Sequence, residues 1–168
     1  MMKVQRKINS AVGVIYLVAS EKYLHGIFWK DQKIQKEEAA SSAHSSASKI
    51  LDKTECQIGE YLAGKRQEFN IPIQMDGTAF QKRVWARLAQ IPYGETRSYK
   101  DIAKELKDAN ASRAVGTANG RNPISLIVPC HRVISSDGTM GGYAGGLSIK
   151  EMLLNLEKTN MKKTGKLK

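Results

Sequence analysis

The chain has 168 residues, 41% of them hydrophobic, so it can bury a core either as one domain or as two small ones. Its formal charge of +11, from 27 Lys and Arg against 16 Asp and Glu, favours a polyanionic partner, usually nucleic acid; a solvated basic surface is the alternative. Two cysteines without C-x-x-C spacing and three scattered histidines argue against a disulfide framework and a metal site, and they indicate a reducing compartment.

The N-terminal stretch, residues 2–30, predicts two or three short strands in hairpins, because it is rich in β-branched and aromatic residues and contains no proline. Basic residues before the apolar run 11–19 resemble a signal peptide. A second β-prone run, 23–29, follows at once, so the first run is interpreted as a strand. No other stretch approaches the ~18 apolar residues of a membrane helix, and no membrane partner is expected.

A polar segment rich in serine and alanine, 37–48, predicts a loop or linker. From Ser48 the spacing of apolar residues predicts a helix that Gly64 stops. Cys56, within that helix, is interpreted as an ordinary core or half-exposed cysteine. The proline-containing segment 69–75 is interpreted as a connection, which puts a domain boundary near residue 75.

The second half of the chain predicts a series of short helices. A capping box, Thr78 to Gln81, begins the first helix, and Ser98 caps the second. After a short connection, a third helix is predicted at 111–119 and is closed by Gly120. Two short helices so joined in a basic protein suggest a helix-turn-helix, although an ordinary αα-hairpin has the same pattern.

The third of these helices consists mainly of small residues. They are too short to read base edges in the major groove, but they permit close approach to a sugar-phosphate backbone or a minor groove. Arg113 is then the one long side chain on this helix. A small-residue helix packed closely against its neighbour is the alternative interpretation.

An apolar run, Ile124 to Val128, is predicted to be a strand that Pro129 stops immediately before Cys130 and His131. Such a strand would hold the thiol at a fixed position. The neighbouring imidazole and arginine would make this thiol a far better nucleophile than an ordinary cysteine. The alternative is a buried structural cysteine, the commonest state of a lone cysteine.

The C-terminal part combines glycines, a helix and a basic tail. The glycines at 138–146 around Tyr143 let the backbone approach a ligand, or form a flexible loop. A last helix, capped by Ser148, is predicted to bury Ile149, Met152, Leu153 and Leu156. Glu157 lies near that apolar face, so its carboxylate needs a partner, for which His131 is the natural candidate; exposure at the helix end is the competing interpretation. The lysine-rich tail, Lys158 to Lys168, is expected to be disordered.

Five short motifs occur in one order in this half of the chain. They are Arg-Ala-Val-Gly at 113–116, Asn-Pro at 122–123, Pro-Cys-His-Arg-Val at 129–133, Gly-Tyr-Ala-Gly-Gly-Leu at 142–147 and Leu-Leu-Asn-Leu-Glu at 153–157. Together they resemble the O6-alkylguanine-DNA alkyltransferases. The resemblance is highly specific from about Phe80 to Glu157 and only loose over residues 1–75.

This resemblance implies an α+β fold in two domains. A small ribonuclease H-like α/β domain, with an antiparallel sheet and a helix, would occupy 1–75. A mostly helical DNA-binding and catalytic domain with a helix-turn-helix would occupy 76–158, and 159–168 would be a basic tail. The zinc-binding cysteines and histidine of some relatives are missing, and so is a separate phosphotriester-repair domain.

The resemblance further implies direct, single-turnover transfer of an alkyl group from O6-alkylguanine in DNA, and from O4-alkylthymine, to Cys130, without a cofactor or a metal. His131 would be the general base, acting through a water, and Glu157 would orient it. Tyr99 would donate toward N3 of guanine, and Asn122 would support the turn around the thiol. The implied partner is double-stranded DNA containing O6-alkylguanine, bound by a cytoplasmic monomer.

The implied DNA-binding residues lie on the small-residue helix or just after it, with Arg113 filling the gap left by the flipped base. This set is Arg113, Ala111, Ser112, Ala114, Thr117 and Arg121. The implied substrate pocket is lined by Val133, Gly141, Tyr143, Ala144 and Gly145. Ala144 stands where many relatives have serine and Ser125 where some have a second proline, which affects hydrogen-bond donation to O6 and the width of the pocket.

Two other functions fit parts of the sequence. A cysteine hydrolase could use Cys130 and His131, but adjacent residues of an extended chain point apart, so a direct pair would need a turn. A non-catalytic sensor of alkylated DNA would lack the cysteine, which this chain has.

Overall fold

The structure is a computed structural model that describes residues 2–36 and 46–163. The chain divides into two compact units, Met1–Met75 and Asp76–Lys168. Most of the predicted linker, 37–45, and the end of the predicted tail, 164–168, lie outside the described residues. Within the described part, no helix is both long enough and apolar enough to cross a membrane.

The first unit contains a three-stranded antiparallel sheet. Its strands are β1 (Val4–Ser10), β2 (Gly13–Ala19) and β3 (Leu24–Phe28), in the order β1-β2-β3. Ile8 pairs with Ile15, and Leu17 pairs with Ile27, so that apolar side chains of neighbouring strands lie together in the core. The apolar run that imitates a signal peptide is therefore β2, as predicted.

One helix of this unit, α1 (Ser46–Leu62), contacts β1 and β2 and buries Leu51, Ile58 and Tyr61. It begins two residues earlier than predicted, so residues 46–48 are helical and do not belong to a loop. It ends ahead of Gly64, whose φ of +76° is the left-handed conformation expected of a helix stop. Cys56 is exposed.

The second unit contains four helices and two very short parallel strands among its described residues. These are α2 (Ala79–Leu88), β4 (Arg97–Ser98), α3 (Tyr99–Glu105), α4 (Ser112–Gly120), β5 (Val133–Ile134) and α5 (Leu147–Lys163). The α+β class is confirmed. The capping box predicted at Thr78 is present, and Ser98 is the N-cap of α3 as predicted, where it also forms a capping box with Asp101. The prediction that Gly120 closes α4 was wrong, because Gly120 is helical and Arg121 is the C-cap.

The segment between α4 and the thiol is not the strand that its apolar residues predicted. Residues 125–127 form turns, and Leu126 has a φ of +74°. The side chain of Asn122 holds the segment, since its Nδ2 donates to the Val128 carbonyl at 2.7 Å and its Oδ1 accepts from Ile124 N at 3.0 Å. Ile124, Leu126 and Val128 are almost fully buried, so the apolar pattern reflects burial and not an extended backbone.

The last helix, α5, differs from its prediction in three ways. It already includes Ser148, which is therefore not its N-cap. Its buried face consists of Lys150, Leu153 and Glu157, whereas Met152 is 50% exposed. Finally, the helix continues to Lys163, so the prediction of disorder was wrong for the first six residues of the tail, which are helical.

Candidate active site

The thiol lies on a single 3-10 turn, Cys130–Arg132, that follows Pro129. Cys130 is 4% exposed and His131 is completely buried. Cys130 N donates to the Val128 carbonyl at 2.8 Å, so the turn continues directly from the segment that Asn122 holds. The backbone thus fixes the position of the sulfur before any substrate is present.

The electrostatic surroundings favour the protonated thiol in the resting protein. Burial raises the pKa of Cys130, and it outweighs the hydrogen bonds from Asn122 and Ser125 and the positive charge of Lys150, which lower it. The sequence led us to expect that the arginine next to His131 activates the thiol. The structure instead directs Arg132 toward Glu157. The cation that acts on the sulfur is Lys150, which was not predicted from the sequence.

Glu157 is the centre of a buried cluster of hydrogen bonds. Its Oε2 lies 2.7 Å from Nε2 of His131 and accepts from Nη2 of Arg132 at 2.9 Å. Its Oε1 accepts from Nε of Arg132 at 2.8 Å and from the backbone N–H of Gly94 at 3.1 Å. Burial raises the pKa of Glu157, but the hydrogen bonds and charges of His131 and Arg132 outweigh it and lower the pKa to about 2. Glu157 is therefore ionised at neutral pH.

The state of His131 follows from this arrangement. Burial lowers the pKa of His131, and the hydrogen bond and charge of Glu157 only partly compensate, so the ring is neutral at neutral pH. Because Glu157 is ionised, Nε2 of His131 carries the proton that the carboxylate accepts. Nδ1 is then the basic nitrogen of the ring. The predicted pairing of His131 with Glu157 is present in the structure, and Glu157 is 1% exposed, not solvated at a helix end.

Arg132 holds the cluster to a neighbouring turn. Besides its two hydrogen bonds to Glu157, its Nη1 donates to the Ile91 carbonyl at 2.7 Å. Its guanidinium lies 5.5 Å from the centre of the Tyr93 ring, within the range of a cation–π contact. The sequence places Arg132 beside His131 but gives no sign that it neutralises Glu157.

Lys150 is completely buried, which is rare for a lysine. Its ammonium donates to the Val133 carbonyl at 2.6 Å, to the Gly142 carbonyl at 3.1 Å and to the Met140 carbonyl. Burial lowers its pKa to about 8, although the Cys130 sulfur acts in the opposite direction. One side chain thus ties the glycine-rich loop to the strand that follows the thiol and places a positive charge near the sulfur.

Tyr99 and Tyr143 also lie close to the thiol. Burial raises the pKa of Tyr99, a hydrogen bond with the backbone of Gly142 lowers it, and the Cys130 charge raises it. A Cβ at Gly141 would lie 2.6 Å from the Tyr99 hydroxyl, and Gly141 has a φ of +68°, so only glycine fits there. Burial, followed by the charge of Cys130, raises the pKa of Tyr143 well above its usual range. Both phenols are thus protonated at neutral pH.

The remaining residues of the predicted pocket differ in how far they are buried. Val133 is fully buried in β5 and pairs with Arg97 of β4. Gly145 is partly buried and Ala144 exposed, on the same loop as Tyr143. Among the described residues, no group of three or more His, Cys, Asp or Glu side chains could hold a metal ion.

The predicted DNA-binding residues lie on or beside α4. Arg113, Ala114, Thr117 and Arg121 are exposed, and their spacing places them on one side of the helix. Ser112 is partly buried, and Ala111 is the buried N-cap. Trp85 of α2 donates from Nε1 to the Ala118 carbonyl at 2.8 Å on the opposite, buried side. The exposed side of α4 therefore combines two small residues, Ala114 and Thr117, with two long basic side chains, Arg113 and Arg121.

Known proteins resemble the chain over both units. Residues 79–159 match the family described as "6-O-methylguanine DNA methyltransferase, DNA binding domain", and residues 3–75 match its "ribonuclease-like domain". Two curated relatives are named methylated-DNA–protein-cysteine methyltransferase. That of Methanosarcina barkeri is 45% identical over 92% of this chain and 97% of its own, and that of Mycolicibacterium paratuberculosis is 42% identical over 91% of each.

Solved structures of the same family are similar to this chain in fold. A crystal structure of the Mycobacterium tuberculosis O6-methylguanine methyltransferase superposes with a TM-score of 0.79 at 40% identity, covering 95% of this chain and 94% of that chain. A crystal structure of Mycobacterium tuberculosis OGT in complex with DNA gives a TM-score of 0.77 at 41% identity, covering 93% of both chains.

Proposed function

The chain belongs to the 6-O-methylguanine DNA methyltransferase family, and we propose that Cys130 is the cysteine that accepts the alkyl group. The function is repair of DNA by direct transfer of an alkyl group from the DNA to the protein, a methylated-DNA–protein-cysteine methyltransferase activity. The observation that carries the assignment of Cys130 is its position, buried and adjacent in sequence to His131, which a completely buried Glu157 orients.

Proton transfer from the thiol is the first requirement, because the resting thiol is protonated. We propose that Nδ1 of neutral His131 takes this proton through a water molecule, and that Glu157 stabilises the imidazolium formed. Asn122, Ser125 and the ammonium of Lys150 stabilise the thiolate at the sulfur. The thiolate then attacks the alkyl carbon, the carbon–oxygen bond breaks, and a thioether forms on Cys130.

The departing guanine needs a proton, since expelling a bare anion is costly. Tyr99 supports this step, because its phenol is protonated and lies near both the sulfur and the glycine-rich loop. We propose that it donates its proton toward N3 of the base, and that the proton taken up by His131 then restores the phenol. Val133, Gly141, Tyr143, Ala144 and Gly145 would form the wall of the pocket around the base and its substituent.

The target base must leave the helix, because O6 of a stacked guanine cannot be reached in line by a buried thiol. We propose that α4 approaches the DNA backbone through its small residues and that Arg113 occupies the space left by the base. Arg121 and the hydroxyls of Ser112 and Thr117 would contact phosphates. The substrate is double-stranded DNA with O6-alkylguanine, or O4-alkylthymine, and the protein acts as a cytoplasmic monomer.

The domain assignment is part of the proposal. Residues 76–158 carry the DNA-binding and catalytic functions, and residues 1–75 form the ribonuclease H-like domain. Every side chain with a proposed role in binding or catalysis belongs to the second unit.

A restriction-site assay tests the function. A duplex whose O6-methylguanine blocks cleavage should become cleavable in proportion to the protein added, up to one duplex per protein molecule. Cys130→Ser should restore no cleavage, whereas Cys56→Ser should behave as wild type because Cys56 is exposed on α1. Restoration of cleavage by Cys130→Ser, or of many duplexes per molecule, would contradict the proposal.

A further inference from the structure

The helix that carries Glu157 continues beyond it, past the range 79–159 that matches the family. Two side chains of this last turn contact the turn at 91–94. Asn160 donates from Nδ2 to the Tyr93 hydroxyl at 3.2 Å. Met161 lies against Gly94, where its Cγ is 2.6 Å from the place that a Cβ would occupy.

Tyr93 and Gly94 contact the catalytic cluster on their other side. Gly94 donates its backbone N–H to Oε1 of Glu157, and the Tyr93 ring packs on the guanidinium of Arg132. Gly94 has a φ of +83°, a conformation that presents this N–H and that side chains rarely adopt. Tyr93 and Gly94 therefore lie between the last turn of α5 and the Glu157–Arg132 pair.

We propose that Asn160 and Met161 are positioning residues of the alkyl-transfer reaction, acting through Tyr93 and Gly94 to hold Glu157 and Arg132 in register with His131. This inference rests on the proposed function of Cys130 and His131. The last turn of α5 thereby becomes part of the catalytic apparatus and is not an inert basic tail.

The charge around His131 depends on the turn at 91–94. The charged groups that act on His131 are Glu157 and Lys150 from α5 and Arg132 from its own turn. If the turn at 91–94 loosens, Glu157 loses the Gly94 N–H and part of its contact with Arg132, so less of its negative charge is neutralised. More negative charge near the ring raises the pKa of His131. The transfer rate falls for a separate reason, because a loosened Glu157 no longer fixes the orientation and tautomer of His131 on which proton transfer from the thiol depends.

The experiment compares Asn160→Ala, Met161→Ala and their double variant with Lys162→Ala, which alters an exposed residue of the same turn. Titration of isotope-labelled His131 by NMR should give a higher pKa in the first three and an unchanged one in Lys162→Ala. The methyl-transfer rate at pH 7 should fall about fivefold in the double variant, the effect of one or two weakened hydrogen bonds. Met161→Leu should restore near-normal values.

An unchanged His131 titration and rate in the folded double variant would overturn the inference. Equal changes in the double variant and in Lys162→Ala would also overturn it, because the effect would then be one of general helix stability. The NMR titration needs no DNA, so it decides the inference even if the wild-type protein transfers no methyl group, an outcome that would defeat the proposed function alone.

Discussion

Nε2 of His131 lies 2.7 Å from Oε2 of Glu157, and neither side chain is more than 1% exposed. A carboxylate removed from water in this way requires compensation, which Arg132 and the Gly94 N–H provide. The result is a neutral imidazole with a fixed tautomer beside a protonated thiol. A proton must therefore move from sulfur to His131 before the sulfur can attack.

Glu157→Gln should slow methyl transfer strongly, because an amide can no longer stabilise the imidazolium that forms when His131 takes the thiol proton. It should also lower the free energy of unfolding by about 3 kcal/mol, because the guanidinium of Arg132 remains buried without its counter-charge. Single-turnover rates and urea unfolding measure the two effects.

The double variant Glu157→Gln, Arg132→Met separates these effects. Removal of both charges should recover much of the lost stability and none of the lost rate. Recovery of the rate together with stability would mean that Glu157 has only a structural role.

Acid should destabilise the protein through the same cluster. The pKa of Glu157 is lowered from 4.5 to about 2 in the folded state, so its contribution is present above pH 4.5 and is lost as the pH falls toward 2. The lowered pKa of His131 also destabilises the folded state in acid. Below pH 6.5 the unfolded chain binds a proton at this histidine more readily than the folded protein does. Urea unfolding at pH 7 and at pH 2.5 gives the free energy of unfolding at each pH. Between these values it should fall on the order of 3 kcal/mol further in wild type than in Glu157→Gln. Equal losses in the two proteins would exclude Glu157 as the cause.

Lys150→Met should raise the pKa of the Cys130 thiol and slow alkyl transfer, because it removes a positive charge near the sulfur and leaves three backbone carbonyls without their donor. The thiol pKa is measured from the pH dependence of alkylation by iodoacetamide. A Cys56→Ser background is needed, because Cys56 is exposed. Lys150→Arg keeps the charge and should shift the pKa less, and an identical thiol pKa in Lys150→Met and wild type would refute the electrostatic part of this role.

Arg113→Ala should reduce repair of duplex DNA far more than reaction with free O6-benzylguanine, because only the duplex requires a base to be flipped out. Unstacking costs a few kcal/mol, of which Arg113 offsets a part. Lys107→Ala, which also removes an exposed basic residue near α4, serves as the matched control. Equal losses on the duplex and on the free base would show that Arg113 does not assist flipping.

The sequence predicted the elements that local chemistry determines. The predictions confirmed are the capping box at Thr78, the N-cap at Ser98, the helix stop at Gly64 and the strand character of 13–19, all of which depend on near neighbours in the chain. The segment Ile124 to Val128 was mispredicted because a short buried run has the same apolar composition in a strand and in a turn. Only the hydrogen bonds of Asn122 distinguish the two, and they depend on the folded backbone.

The missed site residues are charged side chains whose partners are distant in sequence. Lys150 was assigned to no face because a lysine in a helix is normally solvated, and the carbonyls that bury it lie 8 to 17 residues away. A signal was nonetheless present, since Lys150 precedes Glu157 by two helical turns and shares its face. The helical conformation of the tail was not predicted for a similar reason. Asn160 and Met161 contact Tyr93 and Gly94, which are distant in sequence.

The most direct test of the central claim is the mass of the intact protein after incubation with a duplex that contains O6-methylguanine, followed by peptide mapping. We predict a gain of one methyl group per protein molecule, located on the peptide that contains Cys130, with no further gain when the duplex is in excess. A methyl group on Cys56, or an unchanged protein mass while the duplex is demethylated, would contradict the account.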